Sequence, residues 1–293
     1  MYSYLIEHPA EALYTIIAGL FVAAVAAALG VLLSRWLSSL LLPKAITEPD
    51  DPDLIEFYNL IDNALPNEPR ITYDDARRWL REANDETDRL VDFHLVLKCR
   101  GRIVTALNAQ LYFLYPYIFI SYLAIDENND AARSRGASDV IKYLSKKCAT
   151  YSWDTVLAEV SGATGSLMFR TLSLALRKMP EFRDYSVFKI EMEYFQPALR
   201  PEGAVFGVTH SDPSAKKWLI YLSRVPNPNT RRNNGNFYLR ENEIKRILTY
   251  ILRFVYGEAH YDSTEYQEYL EKELAHLINN LDGDVRLLTR IGV

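Results

Sequence analysis

The chain has 293 residues, of which 38 are acidic and 33 basic, giving a formal net charge of −5. A nucleic-acid-binding protein would show a basic patch or a high isoelectric point, so we expect no nucleic-acid partner. Two cysteines, Cys99 and Cys148, are too few for a disulfide framework and fit a reducing compartment. The five histidines are scattered, without C-x-x-C or H-E-x-x-H, so no metal site is expected.

The first long element is an apolar run, Leu13–Leu33, that contains no charged side chain. A helix of about 20 such residues spans a bilayer, so we predict a transmembrane helix after a short N-terminal segment, residues 1–12. A buried helix is usually polar on one side, and a signal peptide has a basic start and a shorter apolar run. Arg35 and Lys44 follow the run and no basic residue precedes it. The positive-inside rule therefore predicts a single-pass inner-membrane protein whose large domain is cytoplasmic.

Small residues recur within this predicted span. Gly19, Ala23 and Ala27 are spaced four residues apart. Such a pattern lets two helices approach closely in lipid, so a homo-oligomer formed through this face is one hypothesis. The alternative is that the span is merely rich in alanine, because such spacings arise often by chance in this composition.

The remaining helices and strands are predicted from turn-forming residues and from the periodicity of apolar residues. Residues 34–53 are rich in proline and acid toward their end and are predicted to be a juxtamembrane linker. Helices are predicted at Leu54–Ala64, from about Thr72, from Gly136 through Cys148, at Leu167–Lys178, at Glu241–Tyr256 and at Thr264–Asn280. Strands are predicted at Asp92–Cys99, Arg102–Phe113, Tyr117–Ile125, Thr155–Val160, Val187–Phe195 and Trp218–Val225. This pattern indicates an α/β domain over residues 54–225, followed by a polar loop and a helical C-terminal extension over residues 226–293.

One segment has the design of a phosphate-binding turn. A buried strand, Tyr117–Ile125, is followed by a polar loop, then Arg133-x-x-Gly136-x-Ser138 and a helix. A helix N-terminus presents unpaired N–H groups to an anion, and small residues allow a pyrophosphate to approach closely. We expect Gly136 to supply an unusual backbone angle there. Taken alone, the same six residues also fit an ordinary solvated turn.

In this context the sequence resembles the GNAT superfamily of acetyl-CoA-dependent N-acetyltransferases. Their hallmark, Q/R-x-x-G-x-G/A, lies between the central fourth strand and the third helix, and here it reads Arg133 to Ser138 with serine in its last position. FYNLIDNALPNEPRI looks like the family's first helix and the segment after it, VLAEV looks like the fifth strand, and EYFQPAL resembles a stretch in some bacterial members. The resemblance covers about Leu54 to Val225. It implies a mixed, mostly antiparallel central sheet flanked by helices.

The resemblance also implies a binding site for acetyl-CoA, or another acyl-CoA, as co-substrate. The fourth and fifth strands would splay apart, and the pantetheine arm would lie in the gap. Main-chain groups of Tyr122, Leu123, Ala124 and Ile125 would bind the pantetheine, and one amide would polarise the thioester carbonyl. The pyrophosphate would be held by Arg133, Ser134, Arg135, Gly136, Ala137 and Ser138.

Catalytic groups are less clear in the sequence. By analogy Glu159, near the end of the fifth strand, is the candidate general base, although lone carboxylates are usually surface groups. Family members often protonate the leaving thiolate with a helix tyrosine, and the corresponding stretch here, SLMFRTLSLALRKMPEF, has none. Tyr185 is the candidate replacement, whereas Tyr194 is more typical of a core residue.

The leading interpretation is therefore a membrane-anchored acyltransferase acting on an amine of unknown identity. A membrane-associated acceptor would profit from the high local concentration that anchoring provides. The alternatives are a degenerate CoA-binding sensor, a membrane effector or scaffold, and an interaction protein without a ligand.

Overall fold

The computed structural model describes residues 25, 40–65, 73–82, 90–161, 184–195, 197, 216–224, 227–257 and 264–289. Across these ranges, no helix is long and apolar enough to span a bilayer. The span predicted at Leu13–Leu33 lies outside the described residues apart from Val25, and so does the helix predicted at Leu167–Lys178.

The described chain alternates strands and helices. The strands are β1 (Leu42–Ile46), β2 (Leu90–Cys99), β3 (Arg102–Tyr112), β4 (Tyr117–Ile125), β5 (Thr155–Ser161), β6 (Tyr185–Ile190), β7 (Tyr194–Phe195), β8 (Lys216–Arg224), β9 (Thr230–Asn233), β10 (Asn236–Leu239) and β11 (Val285–Leu288). The helices are α1 (Asp53–Ala64), α2 (Tyr73–Glu82), α3 (Asp130–Lys147), α4 (Glu241–Thr249) and α5 (Thr264–Asn279). A 3₁₀ turn (Cys148–Thr150) follows α3, and a π-helical segment (Tyr250–Tyr256) follows α4.

These strands form one sheet of 11 strands in the order β1-β2-β3-β4-β5-β8-β6-β11-β10-β9, with β7 paired to β8. Among the described strands, only β4 and β5 run parallel to each other, and every other pairing is antiparallel. The predicted α/β class, with a mixed and mostly antiparallel sheet, is confirmed.

Helices cover both faces of this sheet. On one face, the apolar side of α3 packs on β2 to β5 through Val140, Ile141 and Leu144. On the other face, α1 and α2 pack over β2 to β4. The same second face is covered farther along by α4, the π-helical segment and α5, over β4 to β8. The second face therefore carries two separate helical layers, and polar residues lie between them.

The predicted linker 34–53 contains the first strand. β1 pairs with β2 from Leu42↔Lys98 to Ile46↔His94, and Ile46 is buried. Lys44 Nζ contacts Asp53 at 2.6 Å and Lys98 Nζ contacts the same carboxylate at 2.7 Å. Burial acts to raise the pKa of Asp53, but the hydrogen bonds and charges of the two lysines outweigh it and hold that pKa below its usual value. The proline in β1 concealed the strand, since proline is confined to edge strands such as this one.

We expect a fragment of residues 47–293 to be less stable than one of residues 40–293 by at least about 2 kcal/mol, because burying a side chain such as Ile46 is worth about 1.5–3 kcal/mol. Part of the difference is the Lys44 contact, which requires ionised Asp53. A pKa that is lowered on folding stabilises the fold at pH values above the unfolded-state pKa. That stabilisation is lost as the pH falls through the folded-state pKa. Urea unfolding of both fragments at pH 7 and pH 3 measures the difference in their stability and its dependence on pH. Equal midpoints at pH 7 would contradict the assignment of β1.

The C-terminal extension is not only helical. Three short strands, β9 to β11, extend the sheet, and β11 joins it through β6 at Leu287↔Ile190. β9 and β10 meet at Asn234-Gly235, whose φ angles of +48° and +81° are those of a tight hairpin turn. The Asn-Gly signal lies in a stretch predicted as a loop, and the strands were missed because four residues are too few for a periodic pattern. The extension therefore belongs to the same sheet as the domain that precedes it.

The long helix predicted at Glu241–Tyr256 changes its winding at Tyr250. In the π-helical segment the amide of Gly257 bonds to the carbonyl of Leu252 at 3.0 Å, five residues back. Such wider turns shift the direction in which later side chains point, and they are frequent at functional sites. Here the last residue of the segment, Tyr256, points to β5.

Candidate functional site

β4 and β5 separate at their carboxyl ends. Their parallel pairing runs from Tyr117↔Thr155 to Ile120↔Ala158. β4 then continues to Ile125 and β5 to Ser161 without pairing to each other. The result is a gap that opens between two strands in the middle of the sheet, as the resemblance to acetyltransferases predicted.

A bulge marks the start of the gap. The β3–β4 register shifts between Asn108 and Ala109, leaving Ser121 as the extra residue of β4. Its hydroxyl is buried and has no hydrogen-bond partner within the described ranges. A buried hydroxyl without a partner is costly, and this one lies where an extended ligand would enter.

Backbone groups of β4 face into the gap. The amide of Asp126 bonds to the carbonyl of Val104 on β3 at 2.9 Å. Since successive residues of a strand point their backbone groups to opposite sides, Leu123 and Ile125 direct theirs away from β3. In the part of the chain that the structure describes, no strand pairs with that side of β4 beyond Ile120. The arrangement can hold an extended amide-containing chain by strand-like hydrogen bonds.

α3 begins earlier than predicted. Its N-cap is Asn129, whose side chain accepts a hydrogen bond from the amide of Ala132 at 3.0 Å. Gly136 therefore does not open the helix, and residues 133–138 are its fourth to ninth residues. An Asx cap followed by Asp130 at the first position is a strong start signal, and the glycine outweighed it in the sequence interpretation.

The predicted phosphate-binding residues divide between two sides of α3. Arg133, Ser134 and Arg135 are exposed, whereas Gly136 and Ala137 are buried against the sheet and Ser138 is half-buried. Arg133 contacts Asp130 at 2.6 Å and Arg135 contacts Asp139 at 3.4 Å. Exposed ion pairs of this kind contribute about 0–1 kcal/mol, so an incoming phosphate can displace the carboxylates.

Gly136 is required by packing and not by its backbone angle. Its φ is not positive, and the expectation of an unusual angle is wrong. A Cβ at this position would lie 2.5 Å from Oγ1 of Thr105 on β3. The Thr105 side chain is buried and its hydroxyl has no partner among the described residues. Glycine thus allows α3 to approach β3 closely next to the candidate site.

We expect Gly136→Ala to destabilise the protein by about 1–3 kcal/mol, because an added methyl group overfills this contact. In a Thr105→Ala background the same change should be neutral or stabilising, since alanine is favoured over glycine in a helix by about 1 kcal/mol. Thr105→Ser keeps the oxygen and should give no relief. A double-mutant cycle from urea unfolding tests this, and additive effects would show that the close contact does not limit position 136.

Glu159, the predicted base, lies beyond the point where β5 leaves β4. Tyr194 of β7 donates a hydrogen bond to one carboxylate oxygen, and Tyr256 of the π-helical segment donates to the other. Burial raises the pKa of Tyr194 well above its usual value, and the negative charge of Glu159 adds to this. The structure thus places a carboxylate between two phenol groups at the edge of the gap. It brings Glu159 and Tyr194 together, and it adds Tyr256 from the C-terminal extension.

Tyr185 lies elsewhere. It pairs with Arg224 on β8, whereas Glu159 pairs with Leu219, so the two are separated along the sheet. From Glu159 back to Thr155 alone is about 13 Å at roughly 3.3 Å per residue. The ring of Tyr185 is near Trp153, with centroids 6.3 Å apart, at the end of the sheet opposite to the gap. We therefore leave Tyr185 out of the site.

Sequence reasoning missed Tyr256 and treated Tyr194 as core. Both are buried, as expected for core residues. Tyr256 lies 97 residues after Glu159, and an ordinary α-helical pattern through Glu241–Tyr256 gives no hint that it turns toward β5. The usable signal was chemical, since a buried tyrosine needs a hydrogen-bond partner.

No protein-family model and no curated protein matches this chain. Among solved structures, the chain is similar to a spermidine N-acetyltransferase variant from Vibrio cholerae, with 11% identity, 62% of this chain and 95% of that chain covered, and a TM-score of 0.42. It is also similar to an acetyltransferase of the GNAT family from Streptococcus pneumoniae, with 13% identity, 62% and 98% coverage and a TM-score of 0.39. An aminoglycoside acetyltransferase from an uncultured soil metagenomic sample matches with 16% identity, 48% and 88% coverage and a TM-score of 0.36. Because these TM-scores are low, a function for this chain has to rest on its own geometry.

Proposed function

We propose that the protein is an N-acyltransferase that moves an acetyl group from acetyl-CoA to an amine. The observation that carries the proposal is the gap between β4 and β5, where parallel pairing stops at Ile120↔Ala158 while both strands continue. The pantetheine arm, which contains two amides, has the chemistry to pair with the backbone groups of Leu123 and Ile125. The buried hydroxyl of Ser121 adds a polar atom at the base of the same gap.

The phosphates would lie at the start of α3. The amide of Ala132 is capped by Asn129, and the remaining N–H groups at the start of α3, together with the partial positive charge of the helix, favour an anion there. Arg133 and Arg135 would exchange their exposed carboxylate partners for phosphate oxygens. Together, the start of α3 and the two arginines would bind a pyrophosphate near the carboxyl end of β4, with the thioester directed into the gap.

Transfer requires a base and an acid. The amine nitrogen attacks the thioester carbonyl carbon, forming the C–N bond as the C–S bond breaks. A backbone amide of β4 stabilises the developing oxyanion. A proton must leave the amine, whose pKa resembles that of lysine at about 10.4, and Glu159 is the carboxylate placed to receive it. Tyr194 and Tyr256, hydrogen-bonded to Glu159, are the phenols from which the leaving thiolate can be protonated.

Membrane attachment is part of the proposal. Its support is the uncharged run Leu13–Leu33 followed by Arg35 and Lys44. A bilayer partner would place the domain on the cytoplasmic side of the inner membrane and favour acceptors at that surface. Self-association through Gly19, Ala23 and Ala27 remains a hypothesis of the same kind.

A second candidate function is a CoA-binding sensor without catalysis. The specific observation in its favour is that both oxygens of Glu159 are already hydrogen-bonded to tyrosines. Hydrogen bonds donated to a carboxylate favour its ionised form, which makes it a poorer proton acceptor. The sensor would bind acetyl-CoA in the same gap and leave it intact.

Calorimetric titration of the protein with acetyl-CoA, followed by a thiol-release assay with amines, separates these functions. An acyltransferase should bind acetyl-CoA with micromolar or tighter affinity and release CoA only when an amine is present. Binding without release would favour the sensor. Absence of binding would reject both.

A further inference from the structure

Four polar side chains lie on the sheet face that also carries Glu159. They are Asp92 and His94 on β2 and Asn108 and Gln110 on β3. The register pairs Asp92 with Gln110 and His94 with Asn108, so the four form one compact block, which we call the polar block. His94, Asn108 and Gln110 are at most 3% exposed, and the Asp92 side chain is 10% exposed. The block lies between the two helical layers of this face.

Several buried polar atoms of the polar block have no hydrogen-bond partner within the described ranges. Asn108 Nδ2 donates to Asp92 Oδ1 at 2.7 Å, which fixes the amide so that its oxygen is the remaining acceptor. That oxygen and Gln110 Oε1 are buried and have no partner within the described ranges. The other oxygen of Asp92 is 3.6 Å from His94 Nδ1, which is beyond ordinary hydrogen-bond distance. Two amide oxygens therefore await donors, and the second oxygen of Asp92 has only the long contact to His94 Nδ1, which itself has no hydrogen-bond partner in the described ranges.

Buried acceptors without donors are unfavourable by about 1–3 kcal/mol each. A primary ammonium group carries three N–H donors and one positive charge, and it matches the two unpaired amide oxygens together with the Asp92 carboxylate. Burial raises the pKa of Asp92, although His94 and Asn108 act in the opposite direction. A bound cation would favour its ionised form.

Position across the sheet shows which part of a substrate would lie here. β3 and β2 are the first and second neighbours of β4, and strands are spaced about 4.8 Å apart. An ammonium in the polar block is therefore about 5–10 Å across the face from the edge of β4, where the thioester would lie. At that distance the group anchors the acceptor and does not react.

We propose that Asp92, Asn108 and Gln110 of the polar block bind the second, non-reacting ammonium group of a diamine or polyamine acceptor. The inference rests on the proposed acyl transfer for its substrate role, whereas the cation site itself stands on the unpaired buried acceptors. Asp92 supplies the charge, and Asn108 and Gln110 supply the two neutral acceptors.

The test is calorimetric titration of the full-length protein, at pH 7.5 with CoA present, using 1,5-diaminopentane and the uncharged 1,5-pentanediol. The wild type should bind the diamine and not the diol. Asp92→Asn should weaken diamine binding at least tenfold, and Gln110→Leu should weaken it as well. The exposed Asp74 provides the control, since Asp74→Asn changes the same charge on α2 and should leave the affinity unchanged.

Two further readouts separate a binding role from a structural one. Asp92→Asn should leave the melting temperature unchanged or higher, because it removes a buried carboxylate, and it should leave acetyl-CoA affinity unchanged. Equal binding of the diol, no diamine binding by the wild type, or full diamine binding by Asp92→Asn would overturn the inference. If the protein binds the diamine but does not bind acetyl-CoA, the cation site is supported and the proposed acyl transfer is rejected.

Discussion

Replacing Glu159 with glutamine is expected to lower kcat for acetyl transfer to a diamine at least about 100-fold, the lower end of what a positioned general base contributes. Glutamine has nearly the same size and retains an oxygen that can accept a hydrogen bond from Tyr194 or Tyr256. It cannot take the amine proton. Acetyl-CoA affinity should stay within about twofold of the wild type, because Glu159 lies on β5, away from the proposed phosphate site at α3. Steady-state kinetics with a titration of acetyl-CoA measures both quantities.

The chain offers a matched control for this variant. Tyr117 donates a hydrogen bond at 2.7 Å to Glu243, which is buried, at the other end of β4. Glu243→Gln therefore alters the same kind of tyrosine–carboxylate pair away from the gap. It should leave kcat within about twofold. If both variants lose activity equally, the effect of Glu159→Gln comes from packing, and if Glu159→Gln keeps full activity, Glu159 is not the base.

A negative charge at the start of α3 is expected to weaken acetyl-CoA binding at least about 100-fold. Ser134 is exposed, and its hydroxyl bonds to the carbonyl of Ala131 at 3.1 Å, so Ser134→Asp disturbs no packing. Like charges about 4 Å apart cost about 4 kcal/mol at an effective dielectric constant of 20. A factor of 100 in affinity requires only about 2.8 kcal/mol. Calorimetric titration with acetyl-CoA gives the affinity directly.

Folding and binding can be separated at this position. Aspartate near a helix N-terminus is favourable, so the melting temperature of Ser134→Asp should not fall. Gly136→Asp would be a poor substitute, because any side chain there meets Thr105. Asn280→Asp, at the exposed end of α5, introduces the same charge far from α3 and should not change the affinity. An unaltered affinity in Ser134→Asp would place the phosphates elsewhere and remove the main support for an acyl-CoA site.

The strands at the centre of the sheet could be predicted because their signals are local. β4 occupies Tyr117–Ile125, as predicted, since an apolar run bounded by Pro116 and a polar loop is typical of a strand buried on both faces. α1 and α5 agree with prediction to within a residue for the same reason, a periodic apolar face. β1, β9, β10 and β11 were missed because each has five residues or fewer, and β1 and β11 also pair with partners remote in the sequence.

The residues of the candidate site fall into the same two groups, those with a local signal in the sequence and those whose role depends on distant contacts. Arg133 and Gly136 form a contiguous motif, which the sequence placed at the strand-to-helix connection, whereas the structure has both residues inside α3, after its N-cap at Asn129. The reason for the glycine was wrong, because it depends on Thr105, 31 positions earlier on a different strand. Asp92 and Gln110 were overlooked because alternating polar residues on a strand are typical of a solvent-facing side. The helical layers on that face bury them instead.

By itself, the sequence determined the fold class, the strand-to-helix motif and an uncharged N-terminal run, because each depends on neighbours in the chain. Tertiary structure alone decided which distant groups meet. Pairing of β4 and β5 stops after Ile120, next to the bulge at Ser121, while both strands continue. Tyr256 reaches Glu159 from a π-helical segment that lies 97 residues farther along the chain. Such contacts depend on how separate elements pack against each other, and no local pattern of residues specifies that.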